Sequence, residues 1–167
     1  DEGAGQAQAD PGDRLHRMLR GETPALSTAT ADPQLPAGTI RVTVVDEHDA
    51  PVPSAQVEVG MLGQQAARDR KTASTGADGV AEFTRLLTGS SQAYRVKLSY
   101  QGALFASAPF RLPADRGMTV WLRRLPVTTN RAQLLQVSGY YELQIRDELL
   151  HVNQEAQLMN LGDQARE

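Results

Sequence analysis

Four carboxylates are the residues whose types and spacing come nearest to a chemical site: Asp46, Glu47, Asp49 and Asp78. The first three stand in the run D-E-H-D and the fourth in T-G-A-D-G, and both runs read as turns. If the flanking strands run up and down, these turns and the one at Gln101-Gly102 share one end of the fold. Their oxygens could then serve a calcium ion, which takes about six to eight such ligands. The competing expectation is that each aspartate bonds its own backbone, which needs no ion. No spaced ligand motif favours calcium, and no other cofactor is indicated.

Catalysis would require a nucleophile with a base, a carboxylate pair in a cleft, or a metal cluster. The chain has no cysteine, and its histidines, His16, His48 and His151, fall far apart in the sequence. The expectation is a protein that is not an enzyme. A formal net charge of -3 removes the attraction to phosphate that nucleic-acid binders carry, so nucleic acid is not expected as a partner. No apolar run approaches the length of a membrane-spanning helix. The opening D-E-G-A-G-Q-A-Q-A-D has the composition of the polar spacer that follows a cleaved export signal. It points to an exported protein, periplasmic, associated with the outer membrane, or secreted.

The elements that would hold these residues follow from hydrophobic periodicity. Residues 1–37 are poor in large apolar groups and read as a low-complexity tail. Within it, 13–20 carries a short helix signature: Asp13 as N-cap, Gly21 as stop, and Leu15, Met18 and Leu19 on one face as a candidate partner-docking surface. Glu22 to Pro36 reads as linker. From Gly38 to about residue 127 the chain alternates with a period of two. Strands are expected at Ile40 to Val45, Ala55 to Met61, Thr72 to Thr75, Val80 to Arg85, Tyr94 to Tyr100, Leu104 to Leu112 and Met118 to Leu122. Gly76, Asp78 and Gly79 make the tightest turn. Leu62 to Lys71 reads as a surface loop, and Arg68, Arg70, Lys71 and Arg116, with Arg85, would collect at the end opposite the carboxylates. Seven short antiparallel strands describe an all-β, Ig-like sandwich.

Trp121 is out of phase with Met118, Val120 and Leu122, and with Val45 it is expected outside the first core. It is a candidate contact for a partner, as a carbohydrate platform or as a surface covered by the second β unit. That unit, 128–167, is expected to hold strands at Leu134 to Val137, Tyr140 to Ile145 and Leu149 to Leu158, with a turn at Asp147-Glu148. It reads as the opening of a second, truncated β domain. Unpaired strand edges there make homodimerisation an expectation as well.

Five runs carry a family resemblance: G-T-I-R-V-T-V-V-D at Gly38 to Asp46, P-V-P-S-A-Q-V-E-V at Pro51 to Val59, T-G-A-D-G-V-A-E-F at Thr75 to Phe83, L-L-T-G at Leu86 to Gly89 and Y-R-V-K-L at Tyr94 to Leu98. Together they resemble the carboxypeptidase regulatory-like domain, a transthyretin-like β-sandwich. The sequence departs from that family's pattern at Gly76-Ala77 and at Ala50. The resemblance implies a non-catalytic structural or interaction module of bacterial envelope and surface proteins that docks or spaces adjacent β domains. Related transthyretin-like hydrolases use a His and Arg constellation and a Tyr-Arg-Gly-Ser run, which this sequence lacks. The alternative function is ligand binding, of carbohydrate or of calcium in the acidic loops; a remoter one is an accessory domain of an enzyme.

Overall fold

A computed structural model describes His16, Arg20 and residues 25–63, 68–90, 92–132, 134–160, 162 and 164–166. The expected helix at 13–20, with Leu15, Met18 and Leu19, lies outside the described residues. By its contacts the chain divides into two units, Pro24–Val127 and the one that holds Thr128–Arg166.

The first unit contains, among the described residues, β1 (Ser27–Asp32), β2 (Ile40–Val45), β3 (Gln56–Gly63), β4 (Arg68–Ser74), β5 (Val80–Phe83), β6 (Gln92–Tyr100), β7 (Ala103–Ala106) and β8 (Gly117–Arg123). They form two four-stranded sheets, in the orders β1-β8-β2-β5 and β4-β3-β6-β7. Neighbours are antiparallel except β2 and β8, which are parallel, with Ile40 opposite Met118 and Val44 opposite Leu122. Alternation puts one face of each strand inward. Ile40, Val42, Val44, Val120 and Leu122 are fully buried in one sheet, as are Val57, Val59 and Val96 in the other. The all-β, sandwich-like fold is therefore as expected.

Several expected boundaries are corrected. Glu22 to Pro36 is not all linker, because β1 pairs along its whole length with β8. Its sequence, S-T-A-T-A-D, has no apolar period, since this is an edge strand whose side chains are mostly exposed and whose backbone ladder holds it. Leu35, also in that stretch, is buried in the core. The sheets thus hold eight strands among the described residues rather than seven. The expected loop at Leu62 to Lys71 is shortened by β4, which starts at Arg68. The strand expected over Leu104 to Leu112 is β7 alone, followed by a single bridge between Tyr94 and Phe110. Val45 is buried rather than outside the core; the next turn folds back over it, and Val45 bridges to Pro51.

The turn before β5 is closed by the Gly76 N–H on the Val80 carbonyl (2.8 Å) and the Gly79 N–H on the Gly76 carbonyl (3.0 Å). Gly79 takes φ +74°, and a Cβ there would lie 2.7 Å from the Val44 carbonyl oxygen. Gly76 needs no positive φ; its missing Cβ leaves room for the Asp78 carboxylate. Next to this turn, the buried Thr75 hydroxyl donates to the Val52 carbonyl (2.7 Å) and accepts from the Ala55 N–H (2.8 Å). That one side chain ties the β2–β3 connection to the end of β4. Thr75→Val keeps the volume but strands both backbone groups, so it should cost about 2–4 kcal/mol of stability, read as a lower urea midpoint at unchanged slope. A midpoint within error of the parent's would show that these bonds are not needed.

In the second unit β10 (Leu134–Arg146) and β11 (Leu149–Asn160) form a two-stranded antiparallel ribbon. The short strands β9 (Val127–Thr128) and β12 (Ala165–Arg166) flank it in sequence. The two strands expected between Leu134 and Ile145 are one strand with a register shift between Gln136 and Ser138, a bulge that sequence periodicity alone reads as a break. The turn falls at Asp147-Glu148 as expected, with both residues at positive φ (50° and 63°), the geometry of a tight two-residue hairpin turn.

Candidate functional site

The strand directions do bring the turns at Asp46–Asp49, Asp78 and Gln101-Gly102 to one end of the first unit, since β2 runs antiparallel to β5 and β6 turns there into β7. Within that end each aspartate already has a role. Asp46 Oδ1 accepts from the N–H groups of His48 and Ala50, both at 2.9 Å. These bonds hold its carboxyl below the ordinary carboxylate range, the His48 N–H first and the Ala50 N–H second. Asp78 Oδ1 accepts from the Val80 N–H at 3.1 Å. Asp49 pairs with Arg123 of β8. Asp46, Glu47 and His48 can bring one ligand atom each within 4.8 Å of one another, a group that omits Asp49 and Asp78. Of the four carboxylates, Asp46 and Asp78 are thus bonded to backbone N–H groups and Asp49 to Arg123, while Glu47 lies 3.7 Å from the His48 imidazole.

Three of the cations expected at the other end are similarly engaged. Arg70 lies 3.6 Å from Glu58, Lys71 Nζ donates to the Thr84 carbonyl at 3.3 Å, and Arg116 pairs with Asp115. On the outer face of the second sheet a groove of about 390 Å³ runs past Gly60 between Arg70, Arg95 and Lys97. Its Glu58 sits within 3.8 Å of Lys97 as well as beside Arg70, and Arg95 Nε donates to the Ser107 carbonyl. Trp121 does lie on the outer face of its sheet, half-buried, under Arg123, whose Cζ is 5.0 Å from the ring centroid. The same Arg123 thus joins Asp49 to Trp121, a cation over an aromatic face.

Among the described residues, the longest run of exposed large apolar side chains is on the ribbon. Its register places Ile145 opposite Leu150, Leu143 opposite Val152, Tyr141 opposite Gln154, Gly139 opposite Ala156 and, beyond the bulge, Gln136 opposite Leu158. By alternation these ten residues share one face, and none is charged. The other face carries Arg146 with Leu149, Gln144 with His151, Glu142 with Asn153, Tyr140 with Glu155, and Ser138 with Gln157, so that Leu149 at the tip is its one exposed aliphatic among these five rungs. That side is laced by hydrogen bonds: Tyr140 Oη donates to Glu155 (2.5 Å), Gln144 to Glu142 (2.5 Å) and Ser138 to Gln157 (3.2 Å). The Glu155 carboxylate, followed by partial desolvation, raises the Tyr140 pKa above its ordinary value.

The apolar face lies open. Tyr141 is 66 % exposed, Leu143 63 %, Ile145 80 %, Leu150 62 %, Val152 54 % and Leu158 59 %. At about 150–200 Å² for each large side chain, roughly 700 Å² of this face meets water. The largest apolar patch of an ordinary monomer is about 300–600 Å². The sequence pointed to an uncovered β surface in this region, but the bulge hid which side chains share a face. No protein-family model matches the chain, and no curated protein matches it in sequence.

The acidic turns generate a test that separates capping from ion binding. Asp46→Ala should lower the melting temperature, and added calcium should leave the parent's unchanged; a rise with calcium concentration would establish a site. Since Asp46 has a folded pKa below its unfolded value of 3.8, its contribution is present above pH 4 or so and is lost as pH falls through the lower folded value. The parent and Asp46→Ala should therefore converge in stability on acidification below that range.

Proposed function

We propose that this chain is a non-catalytic interaction module of an exported, envelope or surface protein: a transthyretin-like sandwich followed by a β-ribbon that docks an apolar β surface. The observation that carries the reading is the division of the ribbon into an uncharged apolar face, left open, and a polar face laced by its own hydrogen bonds. A ribbon of two strands is marginal by itself in water, and a third strand or a packed layer is what makes such a sheet stable. Its apolar side is the surface on which that layer would sit, at the spacing of about 10 Å at which sheets stack. The resemblance of Gly38 to Leu125 to carboxypeptidase regulatory-like domains supports export and a docking role in an envelope assembly.

Site-specific photo-crosslinking tests the docking face. A photoreactive phenylalanine analogue at Leu143, on the apolar side, should capture a polypeptide in cells that make the protein, and the same probe at Glu142, on the polar side, should not. Equal capture from both positions, or from neither, would remove the basis for the reading.

A further inference from the structure

Resting on the docking role just proposed, we infer that the apolar face of the β10–β11 ribbon is self-complementary and that its partner is the same face of a second copy of this chain, stacked antiparallel about a two-fold axis through the rung Tyr141–Gln154. Three properties of the face lead there: its area, its lack of charge, and the order of large and small residues along it.

The area is of the right size. Roughly 700 Å² uncovered per copy approaches the ~800 Å² that each partner contributes to a stable protein interface. The charge is right for like meeting like. A two-fold contact brings each residue near its own equivalent or a neighbour's, so any charge on the face would meet a charge of the same sign. The five rungs contain none, while Arg146, Glu142 and Glu155 are all on the other side.

The order of sizes selects the orientation. From tip to base the rungs are Ile145–Leu150, Leu143–Val152, Tyr141–Gln154, Gly139–Ala156 and Gln136–Leu158. An antiparallel stack centred on the third lays β10 over β10 and β11 over β11. Leu143 and Val152 of one copy then meet Gly139 and Ala156 of the other, large against small. Ile145 and Leu150 meet Gln136 and Leu158. At the centre Tyr141 meets Tyr141, and the Gln154 amide meets its own copy, where each supplies the donor and acceptor that the other needs. A parallel stack would set Gly139 against Ala156 and Leu143 against Val152, small on small and large on large, which close-packed interfaces do not favour. The Gln136 side-chain nitrogen lies 2.6 Å from where a Cβ at Gly139 would stand, so that amide turns aside as Leu143 of the other copy enters.

The absence of cysteine makes the geometry directly testable on the full chain. In single-cysteine variants treated with a short bifunctional thiol reagent, Gln154→Cys at the axis should cross-link to a dimer. Ile145→Cys at the tip and Glu155→Cys on the polar face should not. Light scattering should give twice the chain mass at micromolar concentration, and Leu143→Asp should raise the dimer Kd at least ~30-fold, as for removal of a central apolar anchor. Cross-linking of Ile145→Cys as well as Gln154→Cys would overturn the antiparallel stack in favour of the parallel one, in which every rung lies over its own copy. A monomer whose Gln154→Cys stays uncross-linked, while the Leu143 photoprobe captures a different polypeptide, would overturn the second copy and leave the docking role standing. If the photoprobe captures nothing either, both fall. Because the cross-linking patterns are read on the parent fold, a Leu143→Asp chain that fails to fold does not decide the outcome.

Discussion

The parallel pairing of β2 with β8 is the constraint on which the first unit depends. Ile40, Val42 and Val44 lie opposite Met118, Val120 and Leu122 across a separation of more than 70 residues, and all six are buried. Parallel strands cannot be joined by a tight turn, so everything between them has to leave this sheet and return. That excursion is the second sheet: β3, β4, β6 and β7 are built within it, and β5 returns to the free side of β2. The other side of β8 is then available to β1. A strand with almost no apolar content is ordered there because its backbone groups complete a ladder whose far side is already fixed.

The same pairing explains why the acidic end is tied down. β2 and β8 finish together, so the turn after β2 and the end of β8 are neighbours, and Asp49 reaches Arg123. Arg123 lies over Trp121, and Arg124, whose N–H donates to the Val45 carbonyl at 2.8 Å, lies 4.2 Å over the Tyr100 ring. Carboxylates that in a list of residues look like free ligands are the local means by which three connections are held at one end. A turn aspartate that accepts two backbone N–H groups has little incentive to give them up to an ion. The ion would have to replace bonds made with no entropy cost beyond that of folding the turn itself.

How much of this was legible in the sequence depends on whether a residue's neighbours in space are its neighbours in the chain. The period-two runs at Ile40 to Val45, Tyr94 to Tyr100 and Met118 to Leu122 were readable because a half-buried strand prints its environment on every second residue. The turn at Asp147-Glu148 was readable for the same local reason. β1 was not, since its stability comes from β8, 87 residues on in the Asp32–Thr119 hydrogen bond, and its own side chains face water. β4 begins with Arg68, Asp69, Arg70 and Lys71, a run that looks like a loop until Glu58 and the β3 ladder are placed beside it. Of the candidate site, the sequence announced an apolar β surface between Leu134 and Leu158. It could not place Val137 in a bulge, and that one extra residue decides whether Gln136 or Leu135 stands with Tyr141 and Leu143.

The bulge also bears on what the ribbon is for. One residue's shift exchanges the faces of everything beyond it on the bulged strand, and here it puts Gln136, rather than Val137, opposite Leu158 on the apolar side. Without it that rung would be Val137 with Leu158, wholly aliphatic. The polar face shows the opposite economy. Tyr140, Glu142, Gln144, Asn153 and Glu155 bond one another across and along the strands, and the exposed aliphatics on that side, Leu149 and Leu135, stand apart at its two ends. A ribbon that wanted only solubility would mix the two kinds of residue on both sides; separating them leaves one face stable in water and makes the other dependent on being covered.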